Sequence, residues 1–456
     1  MMSVAAGMSA QAAEPTIEPA LAEGNMFLSS PVDLAAAGYD EKEVFIAGTA
    51  NRYRFPAEPG DAAIIDSDHP YKTRLIIRTP KDPAKFNGTV IVEWLNVSTS
   101  QDVDFFFGPA NASLLRDGYA YVGVTAQRTG IANLHRWNEA RYASLSLDAP
   151  GTDTDGTVLD PESSNSMGGD VLAWDVWTQV GEAVKAGKLL GDLKPERVIA
   201  AGQSQSAGKL TAYFNGIHPL NPVYDAFLYY DRAGPLRTDI DTKVISLGTE
   251  FWNGFQGAPP DDTETHRWWE IAGASHNSLR EIEDYADPSF LKDGALKTPD
   301  GKALSLTDVA LSGQCKVTPI WSHVPNGFVL SAAVDAMNKW LTTGEAPTNK
   351  DRITMGADGK AVRDASGLVS GGVRTATYEV PTGINLGMNE GGGVCFLTGS
   401  HTAFTEEELC TRYESPENYL KQFSAALDKN VADGVILKPD ADTLLAEAQS
   451  VTFACK

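Results

Sequence analysis

The chain has 456 residues, 42% hydrophobic and 21% charged, a globular balance without a disordered bias. A formal net charge of −23 and an isoelectric point near 4.7 would repel phosphate backbones and anionic lipid, so no nucleic-acid partner is expected. No apolar run approaches the ~20 residues of a spanning helix, so no membrane insertion is expected either, and the length suits one large decorated domain.

Met1 to Ala13 is small and apolar and ends Ala10-Gln11-Ala12-Ala13-Glu14, a small-x-small pattern resembling the end of a secretory signal. It is read as a signal-peptide remnant over 1–13. Val44 to Ile46 and Arg52 to Phe55 are predicted to form an early hairpin, with Lys72 to Arg78 as the next strand. Thr89 to Asn96 is apolar enough for a strand buried on both faces. It is followed by a helix over Ala110 to Asp117 and a strand over Tyr119 to Val124, a βαβ beat. From Thr125 to Gly169 the chain is rich in Gly, Asp, Ser and Asn, as in an excursion over a site. A helix is expected over Asp170 to Ala186. Strands follow at Arg197 to Ala201, Tyr224 to Tyr230, Lys243 to Leu247 and Arg267 to Ile271, the rhythm of a mostly parallel α/β sheet with crossover helices. The core is assigned to 25–345, with insertions at about 125–169 and 277–320, and 346–456 to a C-terminal extension packed on it as a cap. Within that division, helices are expected at Gly327 to Thr343, Pro416 to Ala432 and Ala441 to Ala448.

Cys315, Cys395, Cys410 and Cys455 all lie in the last third of the chain. Their even number agrees with disulfides and with an exported, periplasmic or extracellular protein, although four cysteines allow three pairings. None forms a Cys-x-x-Cys pair, so no metal site and no cofactor are expected.

Gly202-Gln203-Ser204-Gln205-Ser206 joins the Arg197 strand to a helix-like stretch, Ala207 to Ile217. A serine presented on so sharp a turn needs small residues two positions to either side, and Gly202 and Ser206 meet that need. Ser204 is the candidate nucleophile; Ser206, flanked by Ser204 and Gly208, is the competing register. A serine hydroxyl needs an imidazole to take its proton and a carboxylate to orient that imidazole. Five histidines follow Ser204: His218, His266, His276, His323 and His401. His276 stands just beyond the last strand, after the small-residue turn Gly273-Ala274-Ser275, and is the candidate base. Glu250, at the tip of the preceding strand, is the candidate acid, with Asp261 and Asp262 as alternatives. The oxyanion hole is assigned to the backbone of Gln205 and of Asn96 or Val97. Phe106, Trp137, Tyr142, Phe251 and Trp252 are candidate substrate contacts.

The elbow, the order Ser204, Glu250, His276 and the strand rhythm resemble the α/β-hydrolase superfamily. More narrowly, Asn87 to Ser98, Gly202 to Gly208, Trp269 to Gly273 and Asn338-Lys339-Trp340 resemble a branch of bacterial alpha/beta hydrolase domain proteins, from about Glu41 to Ala448. That branch typically carries Thr-Glu-Thr-Asp in its acid loop. Thr249-Glu250-Phe251-Trp252 keeps the Glu and loses the Asp, so the resemblance favours Glu250. It implies a serine hydrolase without revealing the substrate; from the Ser, acid, His set the expected reaction is hydrolysis of a small-molecule or polymeric ester through an acyl-enzyme. An acyltransferase with the same triad, or a non-catalytic binding protein on the same fold, is the alternative. The sequence assigns no oligomeric state.

Overall fold

The computed structural model describes residues 14–21, 24–149, 170–231, 234–256 and 261–455. The Met1–Ala13 segment and the second half of the 125–169 insertion lie outside the described residues.

A nine-stranded sheet organises the chain in the order β1-β2-β3-β5-β4-β6-β7-β8-β9. The strands are β1 (Thr16–Pro19), β2 (Tyr39–Arg54), β3 (Ala63–Pro80), β4 (Thr89–Trp94), β5 (Ala120–Val124), β6 (Arg197–Gln203), β7 (Ala226–Tyr230), β8 (Lys243–Thr249) and β9 (His266–Ile271). From β5 to β9 all pairings are parallel; β1, β2 and β3 join antiparallel on one side. The parallel strands are buried along almost their whole length because helices cover both faces. Two large buried clusters lie on either side of them. The expected early hairpin is instead one long strand, β2, paired with β3. Its two expected halves belong to a single strand whose register shifts between Ala50 and Tyr53.

The helices that position the site are α1 (Phe107–Arg116), α2 (Arg128–Trp137), α3 (Glu139–Tyr142), α4 (Ala173–Lys185), α5 (Gln205–Gly216) and α6 (Glu250–Gln256). The segment expected to be an irregular excursion therefore begins with two helices, α2 and α3. The stretch after His276 is also more regular than its composition suggests. Helical turns run from Leu279 to Asp293, and Ile282, Ala286 and Phe290 pack with Val103 and Phe105 in a third, smaller cluster. The C-terminal residues are integral to the core: Ile353, Val369, Tyr378, Tyr413, Tyr419 and Leu444 are buried in the same cluster as the sheet residues Ile199, Leu228 and Trp269. Val373 donates to Glu270 O (2.6 Å) and accepts from Ala272 N (3.1 Å), so this extension covers the open edge of β9.

Two fully buried arginines of β3 fix the loop between β4 and α1. Arg74 bonds Asp102 (2.7 Å) and Phe27 O (2.8 Å), and Arg78 bonds Asp104 (2.6 Å) and Glu41 (2.8 Å). Glu93 of β4 accepts from the first amides of that helix, Phe106 N (2.8 Å) and Phe107 N (2.9 Å), and from Tyr121 Oη (2.9 Å). A carboxyl placed there offsets the orphan amides and positive end of a helix. Burial, reinforced by Asp104, nevertheless pushes its pKa up to about 8. The Arg74–Asp102 and Arg78–Asp104 pairs are costly to bury and are retained as a matched set that holds the loop in one place.

Candidate active site

β6 ends at Gln203, and Ser204 follows with φ 56° and ψ −117° before α5 begins at Gln205. A left-handed φ is strained for a serine, and such strain concentrates at functional sites. The turn is held by Ser204 N donating to Tyr230 O (2.9 Å) and Gly208 N donating to Ser204 O (3.1 Å). Gly202 allows strand and helix to approach: a Cβ there would lie 2.9 Å from Leu210 Cδ1 and 3.2 Å from Ala207 N. Ser206 is fully buried and bonds back to the strand end, donating to Gln203 O (2.9 Å) and accepting from Gln203 N (3.1 Å). It ties the turn together, while Ser204 alone faces the imidazole.

Ser204 Oγ lies 2.9 Å from His276 Nε2. His276 is nearly buried, at 5% exposure, and follows a β9 extension shaped by Gly273, Ala274 and Ser275. Its loop is anchored by Asn326 Nδ2 donating to Ser275 O (2.8 Å) and by Ser275 Oγ donating to Asn277 O (2.6 Å). Gln203 Nε2 lies 3.3 Å from His276 Nε2. On the other side of the ring, Nδ1 bonds a carboxylate, and that carboxylate is Asp231.

The expected pairing of His276 with Glu250 is therefore corrected. Asp231 follows β7 directly, is fully buried, and has φ 54°, held by its N–H to Leu247 O (2.7 Å). Its second oxygen accepts from Thr249 N (2.9 Å) and Thr249 Oγ1 (2.5 Å), so the carboxylate is oriented from both sides. Glu250 begins α6 one residue later. It accepts from Gly273 N (2.9 Å) and is paired with Arg363. Burial raises its pKa, opposed by Arg363 and by the Gly273 and Gly387 amides. It thus braces the His276 loop from below. Asp262 is engaged elsewhere, accepting from Trp268 N (2.8 Å) and Arg352 Nη2 (2.6 Å), and Asp261 is exposed. The signal for Asp231 was present: Phe227-Leu228-Tyr229-Tyr230 runs straight into an aspartate. The sheet order puts β7 beside β6, so the carboxylate that meets His276 comes from the strand next to the serine.

The other histidines have different partners. His266 bonds Ser246 Oγ (2.9 Å) inside the sheet, where burial pushes its pKa down to about 3. His218 lies 3.0 Å from Thr242 Oγ1. His323 and His401 stack on each other at 3.7 Å between ring centres.

Around the serine, Gln205 is the first residue of α5, where the helix's own ladder supplies no acceptor for the backbone N–H. Asn96 does not offer its amide as expected: its N–H donates to Val103 O (2.9 Å), a bridge that does not use the Val97 amide. Its side chain instead donates to Gln203 O (2.9 Å), locking the loop after β4 to the elbow.

Three of the five aromatic candidates are structural. Phe106 and Tyr142 are fully buried, and Tyr142 Oη donates to Glu43 Oε1 (2.9 Å) and accepts from Phe27 N (3.0 Å). Trp137 Nε1 donates to Asp293 O (3.0 Å), and its ring packs edge-on against Phe27. Phe251 does reach the site, its ring centre 5.0 Å from that of His276, and Trp252 adjoins it at 6.0 Å. Among the described residues no group of three or more His, Cys, Asp or Glu is arranged to hold a metal ion.

The family model described as "Alpha/beta hydrolase domain" matches residues 12–446, and the chain belongs to that family. No curated protein is significantly similar in sequence. Among solved structures, similarity is found to an α/β serine hydrolase without a lid from Xanthomonas campestris. That match has 12% identity and a TM-score of 0.24, and covers 43% of this chain and 73% of that one. A cold-adapted esterase from an Arctic intertidal metagenomic library is similar at 11% identity and a TM-score of 0.27, over 56% and 95% of the two chains. The rice cell wall degrading esterase LipA from Xanthomonas oryzae is similar at 12% identity and a TM-score of 0.23, over 52% and 49%. The described residues form two disulfides, Cys315–Cys395 and Cys410–Cys455, and contain no helix long and apolar enough to cross a membrane.

Proposed function

We propose that this α/β hydrolase cleaves carboxylic esters through an acyl-enzyme on Ser204. The observation that carries this reading is the chain of contacts from Ser204 Oγ through His276 to the buried Asp231 carboxylate. With Asp231 accepting from Nδ1, the ring presents an unprotonated Nε2 to the serine. Ser204 Oγ bonds to the ester carbonyl carbon as its proton passes to His276 Nε2. The carbon–oxygen bond to the alcohol then breaks, and the same proton leaves with the alkoxide. Water, deprotonated by His276, attacks the acyl carbon; the bond to Ser204 Oγ breaks, His276 returns the proton to that oxygen, and the acid leaves. The imidazolium formed at each stage is stabilised by Asp231. The oxyanion is assigned to the Gln205 amide at the positive end of α5 and to the Val97 amide. Glu250 is a positioning residue on the His276 loop. The two disulfides favour an oxidising, exported compartment as the place of action.

The test is a panel of simple esters assayed with wild type and Ser204→Ala. Ester hydrolysis that disappears in the variant supports the reading. Hydrolysis unchanged in Ser204→Ala, with both proteins folded, overturns it.

A further inference from the structure

Phe251 lies against His276, yet it is itself 99% covered, at 1% exposure, so something beyond it meets solvent. One such residue is Phe396, whose ring centre is 6.0 Å from that of Phe251 at 41°. Phe396 is 40% exposed, as is Met388 at 42%, and both are large apolar side chains left on the surface of the same segment. Single exposed apolar residues need no explanation, but an exposed ring packed on the phenylalanine that covers the His276 imidazole does.

The segment that carries them is fixed in place. Gly387 abuts the His276 loop so closely that a Cβ there would come within 2.7 Å of Ala274 O and 3.0 Å of Phe251 N. Asn389 Nδ2 donates to Val317 O (2.8 Å) and to Gly399 O (2.9 Å), Lys316 N donates to Glu390 O (2.7 Å), and Gly392 N donates to Gly313 O (2.7 Å). The Cys315–Cys395 disulfide then tethers the residue next to Phe396. An exposed aromatic ring held this firmly is pre-organised for contact.

The side of the site on which it stands identifies what it contacts. His276 delivers a proton to the departing alkoxide, so the alcohol part of an ester lies next to the imidazole, and the acyl part lies toward the oxyanion amides. Phe251 and Phe396 extend outward from the imidazole. We infer that Phe396 is a specificity-determining residue that binds the alcohol moiety, making the enzyme selective for esters of aryl-substituted or other bulky apolar alcohols. This rests on the ester-hydrolase reading and adds to it the moiety recognised and the residue that recognises it.

The experiment compares wild type, Phe396→Ala and Phe396→Leu on three esters of unactivated alcohols: benzyl acetate, ethyl acetate and ethyl phenylacetate. The ring should contribute to benzyl acetate alone, so kcat/KM for that substrate falls roughly tenfold in Phe396→Ala, mostly through KM. Ethyl acetate and ethyl phenylacetate stay within about twofold. Phe396→Leu keeps apolar bulk, guards against a misfolded alanine variant, and should show the same selective loss to a smaller degree. Values unchanged from wild type on all three substrates, the same loss on all three, or a larger loss on ethyl phenylacetate than on benzyl acetate, overturns the assignment. Wild-type hydrolysis of ethyl acetate that depends on Ser204 is read separately, so failure here leaves the ester-hydrolase reading standing, and its absence removes that reading first.

Discussion

Replacing Asp231 by Asn is the perturbation with the clearest consequence. The aspartate oxygens accept from His276 Nδ1 on one side and from Thr249 N and Oγ1 on the other. Asn can keep the Thr249 bonds through its carbonyl oxygen, which leaves its NH₂ facing Nδ1. Two donors cannot share that line, so the ring takes the tautomer with hydrogen on Nε2 and no longer accepts the Ser204 proton. The imidazolium also loses its buried counter-charge. Together these should lower kcat by about 10³–10⁴-fold, equivalent to about 4–5.5 kcal/mol of transition-state stabilisation, with KM nearly unchanged. Glu250→Gln, in contrast, leaves the His276–Asp231 bond intact and strips Arg363 of its charged partner. It should cost roughly 1–3 kcal/mol of stability while kcat falls less than about tenfold. Both variants are assayed on one chromogenic ester, with circular dichroism to establish the folded fraction. A folded Asp231→Asn enzyme near wild-type rate, or a folded Glu250→Gln enzyme as impaired as expected for Asp231→Asn, would refute the assignment of the acid.

Ser206→Ala removes two buried hydrogen bonds to Gln203 and no reacting atom; thermal melts should show a loss of about 1–3 kcal/mol, while turnover stays within roughly tenfold of wild type. Glu281 is fully buried, accepts from Tyr230 Oη (2.7 Å) and Ser278 N (2.8 Å), and its pKa is pushed up to about 8 by burial. The folded state therefore holds a proton that the unfolded chain releases near pH 4.5, so this residue's contribution is complete below that pH and is lost as pH rises through 8. Urea titrations should show Glu281→Gln gaining on wild type between pH 5 and 8.5, and a constant difference across that range would contradict the linkage. Replacing both Cys410 and Cys455 by Ser opens the bridge that ties the chain end to the preceding helices; the melting temperature should fall by an amount equivalent to about 2–5 kcal/mol.

The parallel strands were legible because each is a short run rich in apolar residues and bounded by turn residues, and Gly202 to Ser206 stood out because an elbow needs small residues at fixed positions. His276 could be placed from its position just past the final strand. Asp231 was not, because the sequence order Ser, acid, His is satisfied equally by Asp231 and Glu250. Only the sheet order and the backbone turn at Asp231 decide which carboxylate reaches Nδ1. The aromatic candidates separated for a similar reason: Tyr142 and Phe251 look alike in a polar loop, but one is consumed by Glu43 and Phe27 and the other packs on the imidazole. Phe396 carried no signal in the sequence, since it meets Phe251 only through a fold that brings Cys395 to a residue 80 positions earlier. The long β2 was obscured by its middle, Gly48 to Asn51, which separates the two expected halves without ending the ladder.

The most direct measurement is covalent labelling of the wild-type protein with a fluorescent organophosphonate, followed by peptide mapping of the modified residue. An imidazole-activated serine at the elbow predicts one label per chain, on Ser204, lost in Ser204→Ala and retained in Ser206→Ala. A label on Ser206 or on a serine elsewhere, or no label on folded protein that nevertheless hydrolyses esters, would contradict it.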